Sequence, residues 1–121
     1  MSLLRFILFM ALSACYVPAG PEIYHVHVSC HWNPGYDDNM WIFQVWVDHP
    51  VHASEVTDVN AYIYGGPGNT STLSMEYSNG TLWKNVLRES ETDLVCGEWY
   101  QFDMVAVDKY DYADHVRVYY Y

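Results

Sequence analysis

At 121 residues, 51% hydrophobic and 17% aromatic, the chain has room for one domain with an apolar core and lacks the composition of a disordered polymer. Five basic residues against fifteen acidic ones leave a formal net charge of −10, a surface that repels phosphate backbones and argues against a nucleic-acid partner. The acids are scattered, as on a solvated face, rather than gathered in blocks.

Residues 1–14 read as an export signal. Arg5 precedes the apolar run Phe6 to Leu12, and small residues follow. The run is too short to cross a bilayer core of ~30 Å, and no later segment approaches the ~20 apolar residues of a spanning helix. Leu12-Ser13-Ala14-Cys15 resembles the lipobox of bacterial lipoproteins. That resemblance implies cleavage before Cys15, acylation of Cys15 and a lipid anchor in the cell envelope. Tyr16, rather than Asp, follows the Cys, which in a Gram-negative cell implies the outer membrane. Ordinary signal cleavage after Ser13 is the alternative, and it leaves Cys15 a free thiol. With Cys15 assigned to lipid, Cys30 and Cys96 remain, free to pair in an oxidising compartment.

Residues 15–22 contain two prolines and a glycine and serve as a tether. From residue 23 to 121 the chain alternates. Val26, Val28 and Cys30 share one face of a first strand, with His25, His27, Ser29 and His31 on the other. A turn over Asn33-Pro34-Gly35 and Asp37-Asp38-Asn39 leads to a second strand, about Met40 to Asp48, ended by His49-Pro50. A third, Val56 to Tyr64, stops at Gly65-Gly66-Pro67-Gly68. Thr70 to Tyr77 forms a fourth, with Leu73, Met75 and Tyr77 on one face. Asn79-Gly80 turns it into a fifth, Thr81 to Leu87. A polar loop, Arg88 to Asp93, precedes a sixth strand, Trp99 to Val107, and a seventh follows from His115 to Tyr121. About seven short antiparallel strands punctuated by turns predict an all-β, immunoglobulin-like sandwich behind the signal peptide.

The segment Leu94 to Asp108, with Leu94 six residues before Tyr100 and Phe102, Met104 and Ala106 alternating after it, is similar to the penultimate strand of fibronectin type III and related immunoglobulin-like domains. The resemblance implies that Tyr100 is a tyrosine corner whose hydroxyl bonds to upstream backbone. Asp108 and Tyr110 onward likewise resemble the AxD turn before the last strand of many bacterial surface modules. In such a sandwich Cys30, at the end of the first strand, and Cys96, in the connection before the sixth, lie at the same end, an arrangement that permits the Cα separation of under ~7 Å that a bridge requires. A competing register makes Val28 to Trp32 the second strand, with Trp32 the core tryptophan.

Candidate chemistry is sparse. His25 and His27, on one strand face, suit zinc or copper if a neighbouring strand adds ligands. Asp108, Asp111 and Asp114 offer hard oxygens for calcium, without the glycine of an EF-hand loop. No nucleophile elbow, HExxH helix or phosphate-cradling loop is present, so no catalytic residue and no cofactor are assigned. Trp41 and Trp46 have opposite parity, and Tyr119 and Tyr121 oppose Val116, Val118 and Tyr120. These four aromatics are candidates for an exposed face that takes a carbohydrate or a protein. Asn69-Thr70-Ser71 and Asn79-Gly80-Thr81 match the glycosylation acceptor pattern. The expectation is a lipid-anchored envelope protein with a non-catalytic binding or structural sandwich, its alternative an exported metal-binding module.

Overall fold

Alternating apolar and polar residues with β-branched and aromatic side chains favour half-buried strands, and eight form in the computed structural model, which describes residues 20–66 and 71–121. The signal segment, Cys15, most of the tether, and Asn69 and Thr70 of one acceptor pattern lie outside the described residues. The strands are β1 (Glu22–Asn33), β2 (Asp38–Asp48), β3 (Val56–Gly65), β4 (Ser71–Ser74), β5 (Glu76–Asn79), β6 (Leu82–Arg88), β7 (Tyr100–Asp108) and β8 (Ala113–Tyr120). One antiparallel sheet has the order β1-β2-β6-β5 and the other β4-β3-β7-β8. This is the immunoglobulin-like ABED sheet opposite a CFG sheet widened by one strand.

The strand count differs from the expected seven because the segment 70–77 is two strands. β4 pairs with β3 and β5 with β6, so the chain changes sheets between them. Met75 sits at the crossing, buried, with its N–H on the Val59 carbonyl at 2.8 Å. Leu73 and Met75 therefore reach the core, whereas Tyr77 is exposed and packs edge-on against Trp83.

β1 solves a parity problem. Ile23 and Val26 both pack on the core although three residues apart, because the register shifts between Ile23 and His25. The bulged residue is Tyr24, whose hydroxyl meets the Thr81 hydroxyl. Beyond the bulge Val26, Val28 and Cys30 pair with Val45, Phe43 and Trp41 and face inward. Trp41 is 0% exposed and Trp32 is 55% exposed, so Trp41 is the core tryptophan and the competing register is excluded.

Trp41, Phe43, Tyr100 and Phe102 form the aromatic centre of the core, with Trp41 edge-on to Tyr100 at 5.9 Å and Phe43 edge-on to Phe102 at 5.4 Å. Three consecutive residues of the connection from β6 to β7 are tied to this centre. The Leu94 carbonyl accepts from Trp41 Nε1 at 3.2 Å, and the Val95 N–H donates to the Tyr100 hydroxyl at 2.8 Å. Cys96 is disulfide-bonded to Cys30 across a Cα separation of 5.9 Å. Tyr100 thus makes the corner contact expected of it. Its ring also explains Gly66, where φ is +67 and a Cβ would overlap the tyrosine.

The bridge closes a span of 66 residues, so replacing Cys30 and Cys96 together by Ser should lower unfolding stability by about 2–4 kcal/mol. Denaturant titration should find that loss with the β-rich circular dichroism intact, and the unreduced parent should titrate no thiol from this pair. Gly66→Ala should cost at least ~1–3 kcal/mol, because both its φ and its space are denied to a side chain.

Candidate functional site

The outer surface of the β3-β7-β8 sheet is the candidate. Val59, Ala61 and Ile63 of β3, Phe102, Met104 and Ala106 of β7, and Val116, Val118 and Tyr120 of β8 point to the core. The intervening residues must face outward. Cross-strand register aligns them in rows: Tyr64, Gln101 and Tyr119 in one, Tyr62, Asp103 and Arg117 in the next, then Asn60, Val105 and His115. Trp99, just before β7, stacks on Tyr119 with ring centroids 5.9 Å apart and planes 25° apart.

At the centre Arg117 Nε donates to Asp103 Oδ1 at 2.9 Å and Nη2 to Oδ2 at 3.4 Å. The Asp103 carboxylate, and after it Tyr119, holds the guanidinium above its ordinary value. Each charge is thereby neutralised by its partner, and the tyrosines surround a paired, hydrogen-bonding centre. Tyr62, Tyr64, Asp103, Val105, His115 and Arg117 line a shallow depression of about 470 Å³. Rigid aromatic rings with polar tips, set around an arginine, offer contact area at little entropic cost.

The four aromatics read from the sequence do not come together. Tyr119 belongs to this face, and Tyr121, 82% exposed, lies just past the end of β8. Trp46 is on the outer side of the other sheet, in ring contact with His25 at 4.8 Å. Trp41 is fully buried and takes no part in any exposed face. Sequence reading missed Tyr62, Tyr64, Trp99 and the Asp103–Arg117 pair. Tyr62 and Tyr64 were detectable, since they alternate with Ala61 and Ile63.

The candidate metal ligands are dispersed. His25 and His27 are exposed on β1. Asp114 accepts the Ile23 N–H at 2.8 Å, which ties β8 to β1 across the gap between the sheets, and Asp111 is an exposed turn residue at φ 67. Among the described residues no three His, Cys, Asp or Glu side chains converge on a point where an ion would fit.

Asp108 has another task. It is buried against His49, which sequence reading also missed, with Nε2 to Oδ2 at 3.0 Å and side-chain exposures of 1% and 0% for His49 and Asp108. His49 Nδ1 accepts the Val51 N–H at 3.1 Å, so the proton given to Asp108 resides on Nε2. Asp108 Oδ1 accepts the Tyr110 and Tyr112 amides at 2.8 and 3.1 Å. Every polar atom of the two side chains is used inside the fold. The pair joins the β2–β3 connection to the β7–β8 turn, as do Lys109 and Glu55 through a backbone hydrogen bond and a 3.0 Å ion pair.

No protein-family model matches the chain, and no curated protein and no solved structure is detectably similar to it.

Burial pushes the Asp108 carboxyl up, but the hydrogen bonds from His49 and the two turn amides outweigh it and hold the group below its ordinary 3.8. A depressed carboxyl stabilises the fold fully above the unfolded value and ceases to do so as pH falls through the folded one. Acid unfolding should therefore steepen below pH 3.8. Asp108→Asn should lower stability at pH 7 and flatten that acid limb, as read by thermal unfolding across pH.

Proposed function

We propose that the chain is an exported, lipid-anchored envelope protein whose sandwich is a non-catalytic binding module, and that its ligand docks on the outer face of the β3-β7-β8 sheet. The observation that carries this reading is the composition of that face. On a protein of net charge −10, its rows present tyrosines and amides around one charge-neutral Asp103–Arg117 pair. Solubility does not require such a surface, and recognition of a protein or a carbohydrate uses one. The Cys30–Cys96 bridge supports an oxidising compartment. Gly20, the first described residue, lies beside Tyr112 at the start of β8, while Trp99 and Tyr119 lie at its far end, so the chain enters the sandwich away from the aromatic cluster.

Two measurements test the reading. Cys15→Ser should move the protein from the washed membrane fraction to the soluble one, and retention after high salt would contradict the anchor. In a glycan array and in envelope extracts, ligand binding should fall about tenfold or more for Tyr119→Ala and for Trp99→Ala, with unchanged unfolding midpoints. Undiminished binding would place the ligand elsewhere.

A further inference from the structure

The two lateral sides of the sandwich are finished differently. On one side the edge strands β4 and β5 have four residues each, and the chain crosses between the sheets at Met75. On the other side lie β1 and β8, linked by the Ile23–Asp114 hydrogen bond. An open edge strand presents unpaired backbone donors and acceptors, and proteins blunt it by shortness, proline, lysine or a bulge. β4 and β5 are short, and β1 is broken by the register shift at Tyr24. β8 runs from Ala113 to Tyr120 with no proline, glycine or lysine and no shift in its pairing with β7. Among the described residues nothing pairs with its outer edge.

Alternation of the ladder identifies the groups left free. The Asp108 N–H donates to the Tyr112 carbonyl at 3.0 Å, so in the same register Asp114, Val116, Val118 and Tyr120 bond to β7. The Met75 N–H on the Val59 carbonyl gives the same answer, counted across β3 and β7. The backbone groups of Ala113, His115, Arg117 and Tyr119 therefore point to the open edge. By the same count from the Val47 N–H on the Thr81 carbonyl, the free amides of β1 include Val26, Val28 and Trp32.

We propose that β8 pairs antiparallel with β8 of a second copy of this chain, about a two-fold axis at Val118, joining two four-stranded sheets into one. Side chains choose this register. Centred on Val118, it sets Arg117 opposite Tyr119 of the second copy and Val116 opposite Tyr120, twice each, and leaves Asp114 outside the seam. Each guanidinium then meets an electron-rich ring. Centred on Arg117, the strands would oppose two like charges directly, which is destabilising. Centred on Val116, they would set the Asp114 carboxylate, already committed to Ile23, against Val118. Charge selects the same stretch: on a chain of net charge −10, residues His115 to Tyr121 contain no acid. The pairing covers an edge and not a face, so the tyrosine faces of the two copies stay open and become continuous. It requires neither the lipid anchor nor a bound ligand.

The test uses the full chain carrying Cys15→Ser, so that no lipid or micelle brings two copies together. Sedimentation equilibrium up to about 1 mM should find a concentration-dependent dimer. As it forms, the amides of His115, Arg117 and Tyr119 should gain protection from hydrogen exchange, and those of Val26, Val28 and Trp32 should not. Tyr119→Lys, which opposes cations across the seam, should weaken the dimer at least about tenfold. The monomer's unfolding midpoint should stay the same, since Tyr119 is 51% exposed. The exchange Arg117→Tyr with Tyr119→Arg restores the cation–ring pairs and should restore the dimer. A chain monomeric throughout that range, protection gained on β1 instead of β8, or a dimer indifferent to Tyr119→Lys would overturn the proposal. So would an exchanged variant that pairs no more tightly than Tyr119→Lys.

Discussion

The connection from β6 to β7 is held at Leu94, Val95 and Cys96 by an indole, a phenol and a disulfide in turn. All three partners come from parts of the chain that must otherwise be kept in register. Trp41 is on the central strand β2, Tyr100 begins β7 in the opposite sheet, and Cys30 is on the edge strand β1. A loop of this length crossing between sheets carries backbone groups that burial would leave unsatisfied. Here the Leu94 carbonyl and Val95 N–H are paired, and the Cys96 N–H donates to Glu89 Oε2 at 2.6 Å. The same contacts fix Trp41 and Tyr100 against Phe43 and Phe102, so the core's largest rings have little freedom to repack.

The opposite end is closed by different means. His49–Asp108, Lys109–Glu55 and the Ile23–Asp114 hydrogen bond join four separate segments there. The upper end therefore relies on a covalent bond and ring packing, the lower on hydrogen-bonded charge. Neither set of ties uses the outer surfaces of the two sheets. Those surfaces are free to differ, and they do: one is tyrosine-rich around the Asp103–Arg117 pair, the other carries His25, His27 and His31 with Lys84 and Arg88. In a sandwich whose core and ends are satisfied internally, substitutions on one outer face leave the other undisturbed.

Much of the architecture was legible in the residues because local rules and tertiary outcome agree. Period-two alternation placed the inward residues Val26, Val28 and Cys30 of β1 and those of β7 and β8, Gly80 supplied the positive φ of the β5–β6 turn, and Cys30 and Cys96 were the pair left once Cys15 was assigned to lipid. What escaped was non-local. Nothing within residues 70–77 says that Met75 switches sheets, since both halves keep the same alternation and only their neighbours differ. Trp32 and Trp41 were indistinguishable until β1 and β2 were paired, because register, not propensity, decides which is buried. His49 and Asp108 lie 59 positions apart, and each alone looks like an ordinary turn residue. The outward parity of Tyr62 and Tyr64, by contrast, is local and was legible in their alternation with Ala61 and Ile63.

Through these contacts the clamp at residues 94–96 belongs to the folding unit and is not a loop resting on it. Native-state hydrogen exchange tests this at the Val95 amide and the Trp41 indole N–H, compared with core amides of Phe102 and Met104. Both clamp protons should exchange only through global unfolding, with protection equal to the core amides and the same denaturant dependence. Exchange of the Val95 and Trp41 protons through local opening, with the core amides still protected, would contradict it.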